Sequence, residues 1–207
     1  MSVIISLPHL FCYTISMTGR THDLAAFTAL SYVVATQPLH QVTLATGIVS
    51  IMATLVGGLT PDIDQPTADL WRKFPAGSLV GRILYPLLGG HRYISHSILG
   101  IVLFGALSKL LLAKIGQVLL VDINVVWTAF MIGFISHLIM DTITHEGVPW
   151  LFPIPFRFGF PPLKTLRMKT GGFIEKSVIF PGLLFLTGYI YYHNYAKFLD
   201  FFKHYIK

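Results

Sequence analysis

Four short stretches of the 207-residue chain hold residue types that bind metal ions. They are His22; Asp62 and Asp64 in TPDID (60–64); His91 and His96 in HRYISHS (91–97); and His137 and Asp141 in SHLIMD (136–141). His137 and Asp141 are four residues apart, so on a helix they share one face, which Thr144 or His145 would extend. Asp62 and Asp64 flank Ile63 in an irregular segment. There one carboxylate can bind an ion while the other orients a histidine or takes a proton from bound water. The single cysteine, Cys12, excludes a thiolate zinc site, an iron–sulfur cluster and a disulfide framework. A His/carboxylate set without sulfur suits Zn²⁺ or Mn²⁺ in a hydrolytic role, as one ion or a pair, with a metal-bound water as nucleophile.

Each stretch also has an ordinary reading. A lone histidine such as His22 commonly sits at a membrane interface, and PDID reads as a turn with a helix-capping aspartate. HRYISHS reads as a cluster facing lipid headgroups. The His137/Asp141 pair resists such a reading, because ionisable residues at the end of an apolar span are costly and usually functional. His145 and Glu146 fit a polar turn, and His9, His40, His193 and His204 fit structural or interfacial places. The segment PWLFPIPFRFGFPP (149–162) suits an aromatic belt at a membrane surface, or else the wall of an amphiphile-binding groove. Arg157, Lys164, Arg167 and Lys169 suit positive-inside anchors, or else attract a phosphate.

The elements that must position these residues follow from composition. The chain is 54% hydrophobic and 12% charged, with mean hydropathy +0.67; a soluble domain carries about 25% charged residues. Disorder is excluded, a soluble globular enzyme is disfavoured, and an all-α, multi-pass membrane protein is expected. Five segments are candidate spans: 24–37, 42–60, 97–113, 123–140 and 177–193. A full span needs about 20 residues, so the first is short. Residues 196–207 place Phe198, Phe201, Phe202 and Tyr205 at helical spacing, as in an amphipathic interfacial helix. The residues before Met17 lack a basic start and contain Pro8, so 1–16 read as an N-terminal extension ahead of one membrane domain over 17–195. No P-loop, G-x-S-x-G elbow, HExxH or dinucleotide fingerprint is present.

His22 precedes the first span, Asp62 and Asp64 follow the second, His91 and His96 precede the third, and His137 and Asp141 close the fourth. With alternating spans, start–end–start–end brings all four stretches to one membrane face. Counting Lys and Arg by the same alternation gives ten on that face and five on the other, so the face should be cytoplasmic. The net charge of +6 then reports topology and contact with anionic lipid, not nucleic acid.

These motifs resemble the LexA-regulated, membrane-bound metal-dependent hydrolase family of bacterial inner-membrane proteins. The matching pieces are Thr21-His22, LTPDIDQP (59–66), GHRYISHS (90–97), GFISHLIMDTITHEGVPWLFP (133–153) and TGGFIEK (170–176), in the family's order over about residues 17–180. Tyr93 and Ser95 stand where the family usually has Gly and Thr. The resemblance implies a metal-dependent hydrolase and adds Glu175 as a site residue; unaided, a glutamate there reads as a helix cap.

The expected ligands are thus His22, Asp62, Asp64, His91, His96, His137 and Asp141. Seven exceed one tetrahedral zinc, so some only position others or two ions bind. Asp64 or Glu175 is the expected general base, and Arg92 the group that stabilises an anionic transition state. A site at the membrane face points to an amphiphilic ester or phosphoester, with membrane lipid as neighbour. Rival readings are a divalent-cation or proton transporter, and a non-catalytic stress-response scaffold. The first would need polar residues along a route across, yet Asp122 is the one acidic residue near the other face of the helical core.

Overall fold

The computed structural model describes residues 17–37, 42–72, 75–154 and 156–205. The expected extension, 1–16, lies outside them. Among the described residues eight α-helices run in order: α1 (Met17–Thr36), α2 (Leu44–Leu59), α3 (Asp69–Arg72), α4 (Gly77–Leu87), α5 (Ile98–Leu119), α6 (Ile123–Thr142), α7 (Phe180–His193) and α8 (Tyr195–Tyr205). A 3₁₀ turn, Pro61–Asp64, follows α2, and a π-helical turn, Glu175–Ile179, leads into α7. Among the described residues the only β pairing is two isolated bridges, Thr144 with Met168 and Val148 with Phe158. The all-α expectation therefore stands.

The helix starts are written in side chains. Thr43, Ser97 and Asp122 each accept a hydrogen bond from a backbone N–H in the first turn, of α2, α5 and α6 respectively. α1 begins seven residues earlier than the apolar run at 24–37 suggests, so His22 lies inside a helix, not ahead of it. Its polar first turns are held by tertiary contacts that no hydropathy pattern records. Among the described residues two helices are long and apolar enough to cross a membrane: Ile98–Gly116 within α5, and α6. α2 is as apolar but has only 16 residues, about 24 Å against a hydrocarbon thickness of about 30 Å.

α6 is the hub, packed against α1, α2 and α5, and α7 lies on the far side of α1. The α2–α6 contact is the closest. A Cβ on Gly57 would overlap the Phe130 carbonyl, and one on Gly133 would overlap the Thr54 carbonyl. The backbones touch there, and Thr54 Oγ1 donates to Ala129 O across the seam at 3.0 Å. Phe104, Phe130, Phe134, Leu138 and Val148 form the apolar core beside it.

The interior holds small polar side chains and the exterior large apolar ones. Thr28, Ser31, Thr46, Ser50 and Thr54 are buried, and Thr28 and Thr187 share a 2.7 Å hydrogen bond between α1 and α7. Val118 on α5 and Phe185 and Tyr192 on α7 are 81%, 78% and 84% exposed. Such inversion is how helices pack in lipid, where apolar side chains gain nothing by turning inward. The amphipathic C-terminal helix is present as α8: Phe198 packs on Tyr191, and Lys197 Nζ donates to Ala35 O at the end of α1.

Between α6 and α7 the chain makes a folded loop. The Arg167 guanidinium donates to Pro161 O at 2.8 Å and Pro162 O at 3.0 Å. It therefore braces the loop's own backbone, a third option beside the membrane anchor and phosphate readings.

Candidate metal centre

The four ligand-bearing stretches meet at one end of the bundle. α6 supplies His137 and Asp141 from its last turns, and α1 supplies His22 from its second. The turn after α2 supplies Asp62, and the turn before α5 supplies His96. His96 Nε2 lies 3.7 Å from Asp62 Oδ1 and 3.3 Å from Asp141 Oδ2. His137 Nε2 lies 3.6 Å and 3.7 Å from the same two oxygens. Around a tetrahedral ion with bonds of about 2.1 Å, ligand atoms are about 3.4 Å apart, so these separations have the right scale. His22 Nε2 is 3.5 Å from Asp141 Oδ1, and its ring stacks on that of His137 at 4.0 Å.

The donor set also fits an ion in what it leaves unsatisfied. His96 Nε2, His137 Nε2 and Asp141 Oδ1 are buried and make no hydrogen bond among the described residues, while Asp141 Oδ2 is paired with Arg92 Nη2 at 2.8 Å. One such atom costs about 1–3 kcal/mol; several aimed at a common point are what a bound cation would satisfy. Two triads, His22/His137/Asp141 and Asp62/His96/His137, each present ligand atoms within 4.8 Å of one another and share His137.

A surrounding set of groups fixes the rings. His137 Nδ1 is 2.6 Å from Gly58 O; a carbonyl only accepts, so Nδ1 carries the proton and Nε2 offers its lone pair. The touching α2 and α6 backbones make that hydrogen bond possible. Asp64, fully buried, accepts from Arg92 N at 3.0 Å and from Ser95 Oγ, and is 2.8 Å from His91 Nδ1. Ser95 Oγ is in turn 2.8 Å from His96 Nδ1. Burial alone would raise the Asp64 pKa, but its contacts with His91, His96 and Ser95 hold it below the usual carboxylate range. Burial alone would depress His96, but Asp141 and Asp64 outweigh it and raise the pKa to about 9.

The expected site residues thus fall into two groups. His22, Asp62, His96, His137 and Asp141 bring ligand atoms together. Asp64 and His91, expected as ligands, pair with each other beside that cluster. Glu175, expected as a base, is buried with Oε1 accepting from Thr21 Oγ1 at 2.7 Å and Oε2 from Gly171 N at 2.6 Å. It ties the loop before α7 to α1 one residue from His22, a capping contact combined with a tertiary one. Arg92 has φ +60°, and its Nη2 lies 2.8 Å from Asp141 Oδ2.

Gly58, Ser95 and Thr21 escape a reading for ligand types. Gly58 acts through its carbonyl, and the other two are visible only as neighbours of histidines. A cavity of about 380 Å³ reaches the cluster, lined in part by His22, Asp62, His91, Arg92, Asp141 and Glu146. The side chains of Asp62 and His91 are 32% and 27% exposed at its mouth.

An all-helical bundle with an apolar exterior and a buried His/Asp cluster at one end is a membrane-protein class of architecture. Residues 17–197 match the YdjM inner membrane protein family, and the chain belongs to it. It is 34% identical over 179 residues to "Uncharacterized protein YvsG" of Bacillus subtilis (strain 168), covering 85% of this chain and 95% of YvsG. It is 32% identical over 106 residues to "Inner membrane protein YdjM" of Escherichia coli (strain K12), covering 51% of this chain and 50% of YdjM. No solved structure matches the chain. The family places the chain in the bacterial inner membrane.

Proposed function

We propose that the protein is a multi-pass, membrane-embedded, metal-dependent hydrolase acting on an amphiphilic ester or phosphoester at the cytoplasmic face. The observation that carries this is the convergence of five candidate ligand side chains from four separate stretches, three of which, His22, Asp62 and Asp141, line one cavity. His96, His137, Asp62 and Asp141 would hold the ion, with His22 completing the set or serving a second one. Bound Zn²⁺ or Mn²⁺ supplies Lewis acidity toward water and toward a carbonyl or phosphoryl oxygen.

The chain's own groups supply the rest. Asp64, with both oxygens engaged, is an orienting group in this reading and not the base expected for it. It holds His91 by Nδ1, as the acid of a His–Asp dyad does, leaving Nε2 to carry a proton to or from a reactant in the cavity. Glu175 positions α1 through Thr21. Arg92 lies beside Asp141 where negative charge would develop on a reacting ester.

The bundle spans the membrane through α5 and α6, with α1, α2 and the π-turn/α7 segment completing the five-helix set. With alternating spans, the nine lysines and arginines of the two long connections, 61–96 and 141–176, would share the face of the site and orient it to the cytoplasm. Metal analysis of detergent-purified protein tests the reading. Stoichiometric zinc or manganese, lost in a His137→Ala/Asp141→Ala double variant of equal folding quality, is the expected result. No metal in the wild type, even after reconstitution with Zn²⁺ and Mn²⁺, overturns it.

A further inference from the structure

At the rim of the cavity two guanidinium groups converge on one carboxylate oxygen. Arg92 Nη1 lies 3.4 Å from Glu146 Oε2, and Arg157 Nη1 lies 3.9 Å from the same atom. Arg92 comes from the turn before α5 and Arg157 from the loop between α6 and α7, so two remote segments deliver positive charge to one place. Neither contact is the short, two-pronged pairing that arginine makes with a well-fitted carboxylate.

The two arginines are built in to different degrees. The Arg92 side chain is 9% exposed, and its Nε makes no hydrogen bond among the described residues. Its backbone N–H is held by Asp64. Arg157 is half-exposed, and its guanidinium lies over the Tyr93 ring at 5.6 Å. Tyr93 is set by an edge-on contact with Phe152, ring centres 6.0 Å apart. Glu146, in contrast, is 61% exposed. An ion pair so open to water is worth about 1 kcal/mol or less, so its carboxylate exchanges readily.

From this we infer that Arg92 and Arg157 form an oxyanion subsite for a phosphate group, and that Glu146 is the resident carboxylate which an incoming phosphate displaces. Three oxygens on a tetrahedral centre can engage both guanidinium planes at once, which one carboxylate oxygen cannot. Arg92 Nη2 is at the same time 2.8 Å from Asp141 Oδ2, so a phosphate here adjoins the ligand cluster. The inference rests on the hydrolase reading and narrows it to phosphate esters. A lipid headgroup and a free phosphate share this chemistry.

The test is a calorimetric titration of the full chain in dodecyl maltoside, zinc-supplemented, with inorganic phosphate and separately with dihexanoyl phosphatidate. Removing the competing carboxylate in Glu146→Gln should tighten inorganic phosphate binding about threefold to fivefold, the range of an exposed ion pair. Arg157→Gln should weaken it by a similar factor. Both side chains are outside the core, so the variants fold. Tighter binding of the phosphatidate than of phosphate assigns the subsite to a lipid headgroup, and equal binding assigns it to a free phosphate. Phosphate binding unchanged or weakened in Glu146→Gln, or unchanged in Arg157→Gln, overturns the subsite. The titration needs no turnover, and both variants keep all five ligands. Zinc missing from the wild type would therefore count against the hydrolase reading alone.

Discussion

His137 shows how much one side chain is asked to do. Its Nδ1 is spent on Gly58 O, its ring face on His22, and its Nε2 points at Asp62 and Asp141. Its spacing from Asp141 makes the pair legible in the sequence. The partner that sets its tautomer is a backbone carbonyl, which leaves no trace in residue types. Ser95 is similar: it stands out only as a departure from a family pattern, yet its hydroxyl links Asp64 to His96. Ser95→Ala and Asp64→Asn should each weaken zinc affinity about 10-fold to 100-fold, the usual cost of losing an outer-sphere partner. Competition against a chromophoric chelator measures this. Asp62→Ala, which removes a proposed ligand, should lose more than either; equal affinity in Asp62→Ala and wild type would remove Asp62 from the ligand set.

Helices place these atoms, and the decisive contact is α2 on α6. Gly133→Ala must push the Thr54 carbonyl away, and Gly57→Ala the Phe130 carbonyl. Each should destabilise the protein by about 1–3 kcal/mol, the ordinary cost of overpacking. Each should also loosen the Gly58–His137 bond and lower zinc affinity. Gly182→Ala on α7 is the contrast, because nothing lies within 4 Å of the added Cβ. Its melting temperature in detergent should equal or exceed wild type, since alanine favours a helix interior. The existence and order of α1, α2, α5, α6 and α7 were legible from apolar runs, and α2, α6 and α7 fall close to their expected segments, whereas α3 and α4, inside the connection 61–96, were not legible. The start of α1 was not, because MTGRTHD has no apolar stripe. There the Thr21 hydroxyl donates to Glu175, more than 150 residues away.

At the scale of the whole molecule, alternating helices alone place His22, Asp62, His96, His137 and Asp141 at one end, which is why the site could be read from their order along the chain. The paired role of Asp64 and His91 could not, since it depends on side-chain direction within two turns. The orientation predicts that, with Cys12 replaced, single cysteines at Gln65 and Leu163 label from the cytoplasmic side and one at Leu120 from the other. Labelling of Gln65 and Leu163 from opposite sides would break the shared-face arrangement. α6 is the hub and carries two of the five candidate ligands, and it leaves the ribosome after α1, α2 and α5. On the proposed metal-site reading, the earlier helices would bring His22, Asp62 and His96 as an incomplete claw, and high-affinity ion capture would wait for the sixth helix to dock. A bound ion would then mark a chain whose insertion and docking are finished, so the same cation that equips the site would also certify its assembly.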